Sequence, residues 1–144
     1  MTGRSFLVFA LLPALAVGTA VGMAIARSAY PPVDVLYSGD RTVIGQTITY
    51  PDGEPRVTGA IITMPAGTDT GRHIHAVPLF AYVLQGRIEV DYGPDGIRSY
   101  QAGDAFLEAY RTPHSGRTIG DETVRILAVF IGAQGMENTE LQSK

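Results

Sequence analysis

The chain has 144 residues, enough for one domain with a substantial hydrophobic core. It contains no cysteine, which excludes disulfides, thiolate metal sites and cysteine nucleophiles and leaves nitrogen and oxygen atoms as the available metal ligands. The formal net charge is −3, so the domain lacks the concentrated basic face that nucleic-acid binding requires. The composition therefore predicts one domain with no nucleic-acid partner.

The N-terminal segment, residues 1–29, differs in composition from the rest of the chain. Residues 6–26 are rich in Ala, Leu, Val and Gly and carry no charge, and a helix needs about 20 such residues to cross a bilayer. Arg4 precedes this run, while Ala24 and Ala26 place small residues where a signal peptidase cleaves. We predict a signal peptide or an N-terminal membrane anchor, and either one places the following domain outside the cytoplasm, exported or periplasmic. A buried helix of the domain is the remaining alternative.

The remainder of the chain is predicted to be β-structure. Residues 30–41 contain two adjacent prolines and are predicted to be a linker. Over residues 42–133, glycine or proline recurs roughly every 8–12 residues between short runs rich in β-formers, which predicts an all-β domain closed as a sandwich or barrel. The polar tail, residues 134–144, is predicted to be frayed or a short surface helix. The predicted strands are Thr42–Tyr50, Arg56–Met64, Leu79–Leu84, Gly86–Tyr92, Ile97–Gln101, Asp104–Ala109 and Thr123–Ile131.

The three histidines of the chain all lie in segments predicted to be extended. Because side chains i and i+2 share one face of a strand, His73 and His75 point the same way while Ile74 points the other. His114 follows Pro113 much later in the chain. Each histidine taken singly could be a chance occurrence, but together they predict a site with three imidazole ligands, which can hold zinc or iron.

The spacing of these histidines and of several glycines resembles the two sequence motifs of the cupin family. The first motif is matched by Gly67, His73, His75 and Gly86. The second motif is matched less fully, by Gly103 and His114, with Ala109, Arg111 and Thr118 where the family usually has proline, glycine and asparagine. The phrases YVLQG and AGDAF are also similar to cupin sequences, and the resemblance covers about residues 42–132.

The resemblance implies a jelly-roll barrel that binds a divalent transition metal (Fe, Mn, Ni or Zn) through two histidines and a glutamate of the first motif and one histidine of the second. His73, His75 and His114 match the three histidines, whereas Leu79 stands where the family has its glutamate. That carboxylate would otherwise supply negative charge and a coordination position. The resemblance also implies a homodimer, for which an unpaired sheet edge at Thr42–Tyr50 would give a physical reason.

Glu108 is a candidate replacement for the missing glutamate. On the predicted strand Asp104–Ala109, Phe106 and Glu108 share the face that points into the barrel in cupins. A buried carboxylate needs a partner, and a metal held by the histidines would be one. We therefore predict that Glu108 joins the metal ligands or the shell around them. Alternatively, the strand shifts its phase, and Glu108 points to solvent or pairs with Arg111 or Arg117.

Two functions are consistent with these residues. The first is an exported metalloenzyme that acts on a small organic substrate, dioxygenase chemistry included, with Leu79 and Phe106 forming an apolar substrate pocket. The alternative is a non-catalytic module of the cell envelope that binds a metal or a small ligand. The sequence contains no readable Ser/His/Asp arrangement, phosphate-binding loop or dinucleotide fingerprint. Whether the protein is an enzyme is therefore left open by the sequence.

Overall fold

The computed structural model describes residues 31–142, and the residues from Asp34 onward form one compact unit. This part of the chain is all-β, as predicted, with one short 3-10 turn at Gly93–Asp95 and no α-helix. Within residues 31–142, no helix is long and apolar enough to cross a membrane. The predicted signal or anchor, residues 1–29, lies outside the described residues. The strands are β1 Pro55–Met64, β2 His73–Ile74, β3 Leu79–Gln85, β4 Arg87–Asp91, β5 Ile97–Gln101, β6 Ala105–Leu107, β7 Ser115–Thr118, β8 Val124–Ala133 and β9 Glu140–Leu141.

The strands form three antiparallel sheets. The largest has the order β1-β8-β3-β6, a second has the order β5-β4-β7, and β2 pairs with β9. Strands β4 and β5 form a hairpin joined through the turn at Gly93–Asp95. Antiparallel order suits a chain whose connections are short, because neighbouring strands need only a tight turn between them.

The hydrophobic core lies where side chains of the two larger sheets meet. Along β8, Val124, Ile126, Ala128 and Phe130 alternate with more exposed residues, as expected for a strand with one buried face. One core cluster combines such residues with Val90 and others of β4. Fully burying one large apolar side chain stabilises the fold by roughly 1.5–3 kcal/mol, so this alternation holds the sheets together around the interior.

Gly86 occupies the connection between β3 and β4, where only glycine fits. Its φ is +75°, in the left-handed region that side chains disfavour. A Cβ atom there would lie 2.8 Å from the carbonyl oxygen of Thr123. The glycine that the motif spacing singled out is thus required by both backbone conformation and close packing.

The predicted strand Thr42–Tyr50 is wrong. The structure has only an isolated bridge between Arg41 and Thr47, which encloses a turn. Within this turn the amide of Thr42 donates to the carbonyl of Gln46 at 2.8 Å, and the amide of Gln46 donates back to the Thr42 hydroxyl at 3.1 Å. Local bonds of this kind compete with a sheet ladder for the backbone groups. No unpaired edge exists here to support dimerisation, and the homodimer stays a prediction.

The prediction of a frayed or helical tail is also wrong for its described part. Residues Glu140–Leu141 form β9, which pairs with His73 and Ile74 of β2. The amide of Gln142 extends this pairing by donating to the carbonyl of Arg72 at 2.9 Å. The tail therefore packs on the strand that carries the first histidine.

Candidate metal centre

Backbone pairing brings the two histidine segments together. The amide of His73 donates to the carbonyl of His114 at 2.9 Å, and the amide of His114 donates to the carbonyl of His73 at 3.0 Å. This bridge sets the two residues opposite each other, and the extended backbone places His75 on the same face as His73. The ring centroids of His73 and His114 are 4.5 Å apart. The ring centroid of His75 lies 4.9 Å from that of His73 and 5.0 Å from that of His114.

The three imidazoles converge in the interior of the domain. One possible ligand atom from each histidine lies within 4.8 Å of the others. All three side chains are buried, and His114 is only 1% exposed. Such convergence of buried polar groups requires partners, since an unpartnered buried polar atom costs about 1–3 kcal/mol.

Hydrogen bonds fix the tautomer of each ring. The Nδ1 atom of His73 lies 2.9 Å from the carbonyl oxygen of Gly71, and the Nδ1 atom of His114 lies 2.8 Å from the carbonyl oxygen of Thr112. In His75 it lies 3.1 Å from the carbonyl oxygen of Asn138. A carbonyl oxygen can only accept, so Nδ1 carries the proton in each ring and Nε2 keeps its lone pair.

The Nε2 atoms are therefore the free ligand atoms. That of His114 is buried and has no hydrogen-bond partner in the described structure. Metal-bound histidines characteristically donate their other ring N–H to a carbonyl or carboxylate in this way. The donor set of three neutral imidazoles fits a divalent transition metal such as zinc or iron.

Burial keeps these rings in the form that binds a metal. Desolvation lowers the pKa of His73 and His114, and it lowers the pKa of His75 to about 3, with the neighbouring histidines adding to the effect. All three are therefore neutral near pH 7. A cation entering the site does not have to displace protons from them.

The histidines line an apolar cavity of about 70 Å³. Leu79 of β3, Phe106 of β6 and Glu108 line the same cavity. The structure thus brings together all six residues that the sequence singled out. The positions of Leu79 and Phe106 agree with their predicted place in an apolar pocket, and their contact with a substrate stays a prediction.

Glu108 faces the interior and is 6% exposed. The alternative in which it points to solvent or pairs with an arginine is wrong, since Arg117 pairs with Glu89 instead. One carboxylate oxygen of Glu108 accepts from the amide of Ala109 at 2.7 Å. Burial raises its pKa to about 7, against the opposing effect of a hydrogen bond from Tyr92. Its oxygens are not among the converging ligand atoms, so direct ligation stays a prediction.

Comparison with known proteins agrees with this architecture. Residues 60–130 match the family described as the cupin domain. This part of the chain is a cupin domain. No curated protein sequence matches it.

Solved structures with a similar fold include two larger cupin proteins. An oxalate decarboxylase from Lactobacillus farciminis, in complex with formate, is 23% identical with a TM-score of 0.52, and the match covers 59% of this chain and 26% of the decarboxylase. The DMSP lyase DddQ from Ruegeria pomeroyi DSS-3 is 23% identical with a TM-score of 0.53, and the match covers 60% of this chain and 43% of the lyase. This cupin therefore spans less than half the length of either, and the likeness concerns the fold.

Two tyrosines that sequence reasoning did not select adjoin the cupin site. Tyr92 is fully buried, with its ring centroid 5.7 Å from that of His114 and its hydroxyl 3.2 Å from that of Tyr100. Burial raises the pKa of Tyr92, and it raises the pKa of Tyr100 to about 12. Tyr100 in turn stacks on Phe106 at 3.8 Å. Both hydroxyls are therefore neutral near Glu108, and only the tertiary positions of Tyr92, directly after β4, and of Tyr100, in β5, reveal this.

Substituting Glu108 with glutamine is expected to weaken metal binding by roughly 10–100-fold, the range for groups that surround metal ligands, and by more if the carboxylate coordinates directly. The reason is that Glu108 is the one carboxylate that lines the cavity within residues 31–142. Isothermal titration with Zn²⁺ measures the change. Glu89→Gln is the control, because Glu89 pairs with Arg117 on the surface. Equal affinities for the two variants would remove Glu108 from the site.

The metal-free protein is expected to lose stability as the pH falls below 6.5, the ordinary pKa of histidine. Burial lowers the pKa of all three histidines, so the unfolded chain binds protons that the folded chain does not. The stability that the histidines contribute is complete above pH 6.5. It is lost as the pH falls toward their pKa values in the folded state, which is about 3 for His75. Glu108 acts oppositely, since its raised pKa gives a contribution that is present below 4.5 and lost as the pH rises through about 7.

Urea unfolding of chelator-treated protein at pH 7 and pH 5 tests this dependence. Three histidines outweigh one carboxyl group, so the urea midpoint should be lower at pH 5. His75→Gln should reduce the difference between the two midpoints. A midpoint that is unchanged or higher at pH 5 would contradict the neutral, desolvated state of the imidazoles.

Proposed function

We propose that this cupin binds one divalent transition metal through the Nε2 atoms of His73, His75 and His114 and acts on a small organic molecule in the adjoining cavity. The observation that carries the proposal is the buried Nε2 of His114, which lacks a partner while the Nδ1 of the same ring donates to a carbonyl. Three protein ligands leave coordination positions for an exogenous molecule, as in catalytic zinc sites.

The residues of the chain have distinct roles in this proposal. The bound metal would supply Lewis-acid polarisation or redox chemistry to a molecule beside it. Leu79 and Phe106 exclude water from the cavity, which strengthens electrostatic interactions inside it. Glu108, whose pKa is raised to about 7 by burial, can hold or release a proton near neutral pH at its carboxylate.

The proposal includes export of the domain. Its support is the uncharged segment at residues 6–26, preceded by Arg4 and ending in small residues. Fusing residues 1–41 to a reporter enzyme that is active only outside the cytoplasm tests it. Reporter activity that is lost when two aspartates interrupt the segment is the expected result, and an inactive fusion would refute export.

Elemental analysis is the direct test of the metal site. The full chain, purified without chelators in mild detergent, is loaded anaerobically with Fe(II), Mn(II), Ni(II) or Zn(II) and freed of unbound metal. About one equivalent of at least one metal per chain is expected from the single three-histidine cluster. No bound metal under any condition would overturn the proposal, and the cavity would then be assigned to an apolar ligand.

Water-proton relaxation of the Mn(II)-loaded protein then separates an enzyme from an inert module. An open coordination position exchanges water and enhances relaxation, whereas a sphere closed by Glu108 does not. Enhancement that disappears on adding a small ligand supports the enzyme. Its absence favours the non-catalytic binding module.

A further inference from the structure

The walls of the cavity are almost entirely aliphatic and aromatic. Both larger sheets contribute: Ile62, Leu79 and Ile126 come from one, and Ile88 and Val90 from the other. Phe106 closes one side and is held by its stack on Tyr100. A molecule in this space meets apolar surface everywhere except at the histidines and Glu108.

Polar groups of the lining offer nothing to a second charged group. No lysine or arginine lines the cavity among residues 31–142. The hydroxyl of Thr70 is occupied, because it donates to the carbonyl of Gly71 at 2.9 Å and accepts from the amide of Gly116 at 2.9 Å. A second carboxylate or a phosphate that lies away from the metal would therefore be buried without a partner, which is strongly unfavourable.

Charge balance limits the ligand further. Among residues 31–142, Glu108 is the one carboxyl group that lines the cavity beside the three histidines. A divalent cation with that carboxylate carries a net charge of +1, which one monoanion neutralises and a dianion exceeds. Leu79, at the position where the cupin motif has glutamate, adds apolar wall instead of further negative charge.

The volume allows only a short molecule. The cavity measures about 70 Å³, and on the same measure a cavity needs about 10–15 Å³ to hold one water molecule. A head group with a chain of two or three carbons approaches this limit, and longer chains require the walls to move. Core side chains are close-packed and resist such movement.

We propose that the cavity selects a short organic molecule with one metal-binding head group, neutral or singly negative, and an apolar body, and that it rejects molecules bearing a second charged group. This inference rests on the proposed metal site. It also assigns Leu79 and Ile62 to the apolar wall that contacts the ligand and limits its size, since both line the cavity from the larger sheet.

Titration of the Co(II)-loaded full chain with matched carboxylates tests the inference through the visible spectrum of the metal. Propionate and malonate differ only in that a second carboxylate replaces the methyl group. Propionate is expected to bind at least tenfold more tightly than malonate, although malonate is the better chelator in water. Metal content after gel filtration establishes that cobalt stays bound. Malonate binding as tightly as propionate would overturn the inference.

Chain length gives a second, independent readout. Hexanoate is expected to bind at least tenfold more weakly than propionate, since one misplaced methylene costs roughly 10-fold or more. Leu79→Ala should raise the hexanoate-to-propionate ratio of affinities by about tenfold. If that variant fails to fold, Ile62→Ala serves instead. Leu84→Ala is the control, because Leu84 lies on the same strand but is 41% exposed. Equal ratios in both cavity variants and the control would overturn the role of the wall.

The metal site and the ligand class are refuted by different results. A chain that takes up no cobalt refutes the proposed metal site. A chain that binds about one cobalt, loses it in His114→Ala, and yet binds malonate or hexanoate as well as propionate refutes only the ligand class.

Discussion

Substitution of His114 with alanine is expected to abolish stoichiometric metal binding. His114 supplies one of three converging ligand atoms, and its Nε2 has no hydrogen-bond partner in the part of the chain that the structure describes. A chain with two imidazoles left cannot complete a three-ligand site, so affinity should fall by more than the roughly 10–100-fold typical of groups around the ligands. Elemental analysis and competition with a zinc-sensitive dye measure the loss.

The control for this substitution is Ser115→Ala, at the next position along the chain. Ser115 does not line the cavity, so its variant should bind about one metal per chain. Far-UV circular dichroism of both variants shows whether the sheets are intact. Metal content that is unchanged in folded His114→Ala would disprove the three-histidine site itself.

Truncation after Glu137 is expected to lower metal affinity by at least 10–100-fold while the domain remains folded. The removed residues include Asn138, whose carbonyl fixes the Nδ1 proton of His75, and Thr139, whose hydroxyl lies 3.1 Å from the same atom. They also include β9, the pairing partner of the strand that begins at His73. Without them His75 is free to rotate and to change tautomer.

A chain ending at Gln142 is the matched control, since it keeps β9 and every contact just described. The chain ending at Glu137 still contains Met136, which packs on the core. The unfolding temperatures of the two chains should therefore be similar. Thr139→Val removes the hydroxyl beside His75 but keeps the carbonyl of Asn138. It should therefore lower metal affinity less than truncation does. Equal metal affinity in all three chains would show that the tail does not position His75.

Two errors of sequence prediction share one cause. In Thr42–Tyr50 the residue types favour a strand, yet Thr42 and Gln46 satisfy their backbone groups within a local turn. In the tail the residue types favour disorder, yet Glu140 and Leu141 find a partner in Ile74 and His73. Propensity describes a segment in isolation, whereas hydrogen-bond partners depend on what the rest of the chain brings alongside.

The sequence by itself determined the all-β class, most strand positions and the histidine set. These properties depend on short-range regularities: alternation of apolar residues, glycine at turns, and the i, i+2 spacing that puts His73 and His75 on one face. Motif spacing then linked His114 to them and identified Leu79 as the departure from the family pattern. It also favoured an inward Glu108, which the structure places in the cavity.

Only the tertiary structure decided how these residues work together. The free Nε2 atoms follow from carbonyl groups at Gly71, Thr112 and Asn138, the last of which is separated from His75 by 63 positions. The apolar cavity and its lack of a cation follow from which faces of two sheets meet. Hydrogen-bond partners, burial and the resulting pKa shifts arise from contacts between distant segments, and no local pattern specifies such contacts.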